Sequence, residues 1–404
     1  MTVSAPPRPP SQAPEAPDSR PLDRDEIEAL VEALIEEAWR ERRRRRRRSG
    51  AIVTLVALVG VAVFALVGGG AQSQTASPAH SVRSSLPPAA ATAKIAFLRN
   101  RGPRDGWSIW VMNADGSGER QLAAGAGYSF GSAWSPDGQK IAFQTRHDVF
   151  LMNADGTGKR NLTRHPANDG SPSWSPDGRR IAFLRAVAPS SVADLYVMNV
   201  DGSGSRRLTG NVWNEFGGAV WSPDGRELAF ERDGEIYVIN ADGSGLRNVT
   251  RAAGRDFTPA WSPDGRKIAF ARSRENLPFR DDIEIYVMNA DGSDRRRLTQ
   301  NPAWDTLPAW SPDGRKVVFV SERDGGSIYV MNADGSGERR LAGKIGKELV
   351  AAWSPDGRKI AFAGIRHDGI GEIDVVNADG SALRHLTRNP GGIDWVPAWS
   401  PAQR

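Results

Sequence analysis

Apolar residues along this chain fall into three patterns: a helical stripe, an unbroken run, and a long series of short clusters separated by turn residues. The stripe comes first. Ile27, Leu30, Val31, Leu34, Ile35, Ala38 and Trp39 recur at spacings of three and four, which predicts an amphipathic helix over 23–41. Asp23 and Glu26 read as its capping pair, and Glu28, Glu32, Glu36 and Glu37 lie largely off the stripe. A helix of this length is marginal alone in water. Its stripe therefore calls for a partner: a second copy, a cytoplasmic protein or the membrane surface. Residues 1–22, rich in Pro, Ala and Ser, cannot bury enough apolar surface to order themselves.

The unbroken run is Ala51 to Gly70, twenty residues without a charge. At about 1.5 Å per residue it reaches roughly 30 Å, the thickness of a hydrocarbon core. Arg42 to Arg48 precede it, and no Lys or Arg follows until Arg83. The positive-inside bias predicts a single-pass anchor with the amino terminus in the cytoplasm and the rest outside. A cleaved signal peptide would need a basic region nearly fifty residues long. Residues 71–92, rich in Ser, Pro and Ala, read as a stalk.

The short clusters occupy residues 93–404. Trp-Ser-Pro recurs at Trp134, Trp174, Trp221, Trp261, Trp310, Trp353 and Trp399, at intervals of 40 to 49 residues, and the first six continue as Asp-Gly. An apolar strand follows each of those six, as in Ile268-Ala269-Phe270, then a second one such as Ile285-Tyr286-Val287-Met288. Asn-Ala-Asp-Gly or a near variant closes the unit, with a short fourth strand such as Arg296 to Thr299. Four short strands per unit of this length is the period of a propeller blade. One such blade cannot cover both of its faces, and radial stacking does.

The first unit begins at Lys94-Ile95-Ala96-Phe97 without a Trp-Ser-Pro strand, and the chain ends on Trp399-Ser400-Pro401 with no unit after it. The two ends therefore complement each other. The expected fold is all-β: a seven-bladed β-propeller of four-stranded blades, closed by the carboxyl-terminal strand and preceded by the cytoplasmic helix and one transmembrane helix.

The units Ala260-Trp261-Ser262-Pro263-Asp264-Gly265-Arg266-Lys267-Ile268-Ala269-Phe270 and Ile285 to Ser293 resemble the WD-like repeat of TolB-type β-propellers, and the resemblance covers 93–404. That family includes periplasmic binding and scaffold proteins and propellers attached to oligopeptidases. The resemblance implies a binding propeller outside the cytoplasmic membrane. The chain departs from TolB in having seven units where TolB has six, in lacking TolB's amino-terminal α/β domain, and in its anchor.

Charge and composition narrow the function. The formal net charge is +5, but residues 1–48 hold 11 Arg and 10 acidic residues, and the remainder holds 42 Lys and Arg against 38 acidic residues. The bulk count thus gives no basic face for nucleic acid. The absence of cysteine excludes disulfides, thiol nucleophiles and cysteine zinc sites. Gly127-Tyr128-Ser129-Phe130-Gly131 matches G-x-S-x-G, but no helix pattern follows it, as a nucleophile elbow requires. The Asn332–Gly337 turn echoes half of a calcium loop, yet Gly343 stands where the twelfth-position Glu belongs. His80, His147, His165, His367 and His385 are scattered and read as surface residues rather than a metal cluster. No catalytic residue, metal or cofactor is expected.

Two sets of residues stand out as candidates for recognition. An acidic residue sits about five positions before the repeat Trp at Asp169, Asp256, Asp305, Glu348 and Asp394, and six before at Glu215. These six are placed as a ring at one channel mouth, suited to a cation or a basic peptide, with local turn capping or pairing to a neighbouring Arg as the structural alternative. Tyr128, Phe130, Trp213, Phe216, Phe257, Trp304 and Trp395 lie in the same loops, as recognition aromatics or as wedges between blades. The expected role is a non-enzymatic scaffold that recognises a protein or envelope polymer. A channel-metal polysaccharide lyase or hydrolase is the enzyme alternative. A sensor signalling through the 23–41 helix is a third.

Overall fold

The structure, a computed structural model, describes residues 93–401 except 102–105, 127–131, 146, 187–191, 214–217, 252–253, 274–282, 344 and 367–368. The helix expected over 23–41, the apolar run 51–70 and the stalk 71–92 lie outside the described residues. Among the described residues there is no α-helix, and no helix long and apolar enough to cross a membrane.

The chain folds as a β-propeller of four-stranded antiparallel sheets. One unit shows how the repeat dictates this. Its first strand is Arg255–Trp261, followed by Lys267–Ser273, Ile283–Asn289 and Arg296–Arg297. The second strand does not alternate: Ile268, Ala269, Phe270 and Ala271 are all fully buried, because neighbouring sheets cover both of its faces. Pro263-Asp264-Gly265 turns the chain between the first two strands, and Gly265 takes φ +71°, which a Cβ would oppose. Four further four-stranded sheets start at Ser132–Trp134, Asn168–Trp174, Val220–Trp221 and Asp305–Trp310.

The remaining eight strands form one sheet made of two such groups. Lys347–Trp353, Lys359–Ile365, Gly371–Asn377 and Arg384–His385 make the first. The second joins the two ends of the propeller. Ile393–Trp399 pairs antiparallel with Lys94–Asn100, which continues into Trp107–Asn113 and Arg120–Ala126. A single parallel pair, Gly371 with Ile393, links the groups.

Packing runs from each sheet to the next. The buried apolar side chains of the described residues fall into seven clusters, and each draws on two successive four-stranded groups. Phe97, Phe143, Phe183, Phe230, Phe270, Phe319 and Phe362 occupy one equivalent position, all fully buried. Burying each contributes about 1.5–3 kcal/mol. The repeat tryptophans add a directional link. Each indole N–H donates to a carbonyl in the first strand of the preceding group, at 3.0–3.3 Å: Trp174 to Ala133, Trp221 to Ser173, Trp261 to Val220, Trp310 to Ala260 and Trp353 to Ala309. Trp399 donates to Ala352, and Trp134 to Ala398 in the terminal strand, so the circuit returns to its start.

Candidate functional site

Two ends of the propeller differ in chemistry. At one end lie the uniform Ser-Pro-Asp-Gly and Ala-Asp-Gly turns. At the other lie the loops between second and third strands and those that lead into each first strand.

The uniform turns consume their own polar groups. In six Ser-Pro-Asp-Gly turns the Ser hydroxyl donates to the Asp Oδ1 at 2.5–2.6 Å, and the same oxygen accepts a backbone N–H two residues on. In the Asn332–Gly337 turn, Asp334 Oδ1 accepts the Ser336 N–H at 2.9 Å and its hydroxyl at 2.6 Å. The partial calcium-loop pattern is thus a closed hairpin turn. Arg120, Arg160, Arg206, Arg296 and Arg339 each donate to two carbonyls in the turn of the next sheet, at 2.5–3.4 Å. This end is braced from sheet to sheet. Asn161-Leu162-Thr163 and Asn248-Val249-Thr250, which match the glycosylation acceptor triplet, are built into the sheets as well. Asn161 bonds Asp148 and the Thr163 N–H, and Asn248 accepts from Thr250.

The loop end holds four of the six predicted carboxylates among the described side chains. Asp169, Asp256, Asp305 and Asp394 are buried in the first strands, at 0–1 % exposure. Arg185 holds Asp169 through two bonds of 2.7 Å, Arg272 holds Asp256 at 2.5 and 2.6 Å, and Arg99 holds Asp394 through two bonds of 2.6 Å. Each arginine comes from the adjoining strand of the same sheet. Each also stacks on an aromatic ring: Arg185 on Tyr196, Arg272 on Tyr286 and Arg99 on Trp110, at 4.6–5.1 Å from the ring centre. For Arg185 the Asp169 bond leads in raising the guanidinium above its ordinary value. For Arg99 and Arg272, burial works against the charge and the carboxylate bonds outweigh it. These three carboxylates therefore serve Arg pairs inside the sheets rather than an open acidic ring. Bidentate pairing has no spacing signature, which is why only the acidic half was legible in the loops.

Asp305 is the exception. Arg323 sits in a short 3-10 turn, bonds Glu338 at 2.6 Å and approaches Asp305 only to 3.5 Å. Asn301 donates to Asp305 Oδ2 at 2.6 Å, while Oδ1 is buried without a hydrogen-bond partner. Burial pushes the Asp305 carboxyl above its ordinary value. The side chain of Glu348, and Glu215 altogether, lie outside the described set.

The aromatic candidates divide. Phe257 and Trp395 are buried in the clusters between sheets, which makes them core rather than recognition surface. Trp304 is half-buried at the loop end. Tyr128, Phe130, Phe216 and the Trp213 side chain lie outside the described residues, as does Ser129 of the G-x-S-x-G match. His147 bonds Asn168 and His385 bonds Asp374, in different sheets. Among the described residues no three His, Cys, Asp or Glu side chains converge to hold a metal ion.

A cavity of about 300 Å³ lies among the first strands, lined by Ser171, Ser173, Gly218, Thr258, Leu307 and Val350 with their neighbours. Glu231 reaches its wall, buried and held by Arg255 at 2.8 Å. Thr258 Oγ1 is buried there without a hydrogen-bond partner. Ser171, Thr258 and Leu307 take φ of 50–52°, as does Val396 in the terminal strand, and each precedes a proline. The left-handed conformation costs such residues about 1–2 kcal/mol. It is imposed by bulges: the register of the first strand slips between Gly170 and Ser173, Phe257 and Ala260, and Thr306 and Ala309. The X-Pro-(Ser/Ala)-Trp quartets carried this signal in the sequence.

A propeller of Trp-Ser-Pro-Asp-Gly units, braced on one end and looped on the other, defines the class. The TolB beta propeller domain matches residues 87–276 and 235–404, and the chain belongs to that family. Among solved structures it is similar to TolB from Acinetobacter baumannii, with 17% identity, 76% of this chain and 82% of that one covered, and a TM-score of 0.49. It is similar to an oligogalacturonate lyase in complex with manganese, at 20% identity, 70% and 85% coverage and a TM-score of 0.57. It is also similar to the β-propeller domain of the Trilobed protease from Pyrococcus furiosus, at 13% identity, 75% and 98% coverage and a TM-score of 0.54. At these identities the likeness is one of fold. The Pyrococcus propeller is described as having an open velcro topology. Here the terminal strand pairs with Lys94–Asn100. Among curated proteins none matches the chain.

Proposed function

We propose that this chain is a seven-bladed, non-enzymatic binding propeller, held at the cell membrane by residues 51–70, with its amino terminus in the cytoplasm and its propeller outside. Its ligand is a protein or an envelope polymer, taken at the loop end around the first-strand cavity. Membership of the TolB propeller family supports the binding role. The observation that carries the choice of end is the contrast in polar satisfaction. The turns spend their Ser hydroxyls on their own Asp carboxylates, and Arg120, Arg160, Arg206, Arg296 and Arg339 on the turn carbonyls of the next sheet. The loop end keeps the strained first strands and a buried hydroxyl, Thr258 Oγ1, unmatched at the cavity wall. Unmatched polar groups beside a cavity suit a ligand that brings its own donors and acceptors.

The experiment is capture. The full chain in detergent, immobilised through its amino terminus, is exposed to solubilised envelope material, and bound species are identified. Arg251→Glu and Asp324→Lys, both at exposed loop-end positions, are expected to weaken capture, and Arg226→Gln in a turn is expected to leave it intact. Capture lost with the turn change and kept with the loop changes overturns the assignment of the face. Manganese-dependent turnover of oligogalacturonate by the chain overturns the non-enzymatic reading.

A further inference from the structure

The repeated units act as controls for one another, and the unit over 347–385 breaks the pattern at three linked positions. Elsewhere the buried repeat Phe is paired, across the second and third strands, with an aromatic residue: Trp110, Phe150, Tyr196, Tyr237, Tyr286 or Tyr329. In this unit Phe362 is paired with Asp374. Arg99, Arg185 and Arg272, two residues past their Phe, cover the ring in their own units, and Gly364 stands at that position here. The third break is a carboxylate. In three other units an acidic residue of the third strand accepts a Thr hydroxyl that follows the fourth strand: Asp148 from Thr163, Glu235 from Thr250 and Glu284 from Thr299. Glu372 holds the equivalent place and bonds Arg366 at 2.9 Å instead.

A pocket of about 410 Å³ lies at these positions, lined by Arg366, Ile370, Glu372, His385, Arg388 and Pro390. It shares no lining residue with the first-strand cavity. His385 is the cross-strand partner of Asp374, and its Nδ1 lies 2.7 Å from Asp374 Oδ1. The imidazole is 64% exposed, while Asp374 behind it is 15% exposed. With Asp374 ionised, Nδ1 carries the ring proton and Nε2 presents a lone pair. A second proton turns Nε2 into a donor. The charged groups around the ring are Asp374 and Glu372 from the third strand, Arg366 from the loop before it and Arg388 from the segment after the fourth strand. Two guanidinium groups against two carboxylates leave the pocket neutral, and protonation of His385 makes it net positive. Arg388 is exposed and makes no hydrogen bond or ion pair among the described residues.

We propose that this pocket is a second binding site, which takes an oxyanion, phosphate or carboxylate, together with one proton on His385. Arg388 and the imidazolium supply charge-assisted donors, and Arg366, held by Glu372, sets the second guanidinium beside them. The proton supplies the net attraction that the neutral pocket lacks, so anion and proton each favour the other. Burial pushes the Asp374 carboxyl above its ordinary value and the His385 bond works against that, so the proton belongs to the coupled pair.

The imidazole of His385 is itself the reporter, followed by NMR of the full chain, carrying isotope-labelled histidine, in nonionic detergent. His385→Asn assigns its signal and gives this unit the residue that Asn161 and Asn248 supply at the equivalent position. The titration of His385 is recorded in sulfate and in chloride at equal ionic strength, since sulfate keeps its charge throughout. The expected result is a titration midpoint raised by about half a pH unit in sulfate, a roughly threefold preference for the protonated site. His147 and His165, in another sheet, should not move. Arg388→Gln and Arg366→Gln should each remove most of the displacement, with an unchanged melting temperature as the control for folding. Glycerol phosphate and lactate in place of sulfate then separate a phosphoryl ligand from a carboxylate one, by which of them moves His385 further. Coincident curves in sulfate and chloride, equal movement of His147, or a displacement that survives Arg388→Gln overturns the site. A response to sulfate with none to either organic anion marks an adventitious ion only and overturns the ligand.

Discussion

The role of the buried carboxylates is decided most sharply at Asp169. It is half of an internal pair with Arg185, which is 13% exposed while Asp169 is 0% exposed. Asp169→Ala removes two charge-assisted bonds of 2.7 Å and leaves the guanidinium stacked on Tyr196 with no carboxylate opposite. Removing one partner of a buried pair costs about 3–5 kcal/mol. Arg185→Met leaves Asp169 buried and unpaired, and a loss in the same range is expected. The double replacement Asp169→Leu with Arg185→Met removes both charges at once. It should fall near the unmodified chain or above it, since apolar replacement of a buried pair is often neutral or stabilising by about 1–4 kcal/mol. The assay is urea unfolding of the full chain in nonionic detergent, followed by tryptophan fluorescence and read as a double-mutant cycle. A coupling of at least about 3 kcal/mol is predicted. An Asp169→Ala loss under about 1 kcal/mol, with ligand capture abolished, would refute the reasoning and restore Asp169 to a ligand site.

Other outcomes follow from single positions. Gly292 has φ +91°, and a Cβ there would lie 2.3 Å from the Val249 carbonyl oxygen of the preceding sheet, so Gly292→Ala should cost more than the roughly 1–2 kcal/mol of a left-handed alanine, measured by the same unfolding assay. Asp305, whose carboxyl is raised by burial, has its full contribution below the ordinary aspartate range and loses stability as pH rises toward the raised value; Asp305→Asn should therefore stabilise the chain at pH 7, and the gain should vanish near pH 4. A pH-independent effect of Asp305→Asn would contradict that. Trp353→Phe keeps most of the junction packing but leaves the Ala309 carbonyl, now 3.0 Å from the indole nitrogen, unsatisfied, for a loss of about 1–3 kcal/mol in thermal or urea melts.

The β-propeller, its four-stranded units and the pairing of the two ends were legible because turn and core residues recur together. Trp-Ser-Pro-Asp-Gly marks the hairpin, and Ile-Ala-Phe marks a strand covered on both faces. The candidate site was less so. Asp169, Asp256 and Asp394 were visible as a periodic carboxylate, but Arg185, Arg272 and Arg99 come from another strand, and their approach depends on register. Phe257 and Trp395 read as loop aromatics because the first strands begin earlier than the Trp-Ser-Pro triplet suggests, at Arg255 and Ile393. The bulges at Ser171, Thr258 and Leu307 went unread because a residue before proline ordinarily signals extended backbone.

Closure of the ring falls to the terminal strand, which is the place to test it. Ile393–Trp399 supplies the pairing to Lys94–Asn100, the Asp394 partner of Arg99, and the Trp399 indole bond to Ala352. Losing one large buried aromatic alone costs about 3–5 kcal/mol, against about 5–15 kcal/mol for a whole domain. The measurement is thermal unfolding of the full chain, of a chain lacking residues 393–404, and of one lacking residues 1–22. The account predicts a sharp fall in melting temperature, or aggregation, for the carboxyl-terminal deletion and no change for the amino-terminal one. A carboxyl-terminal deletion that melts like the full chain would contradict the closed seven-blade ring.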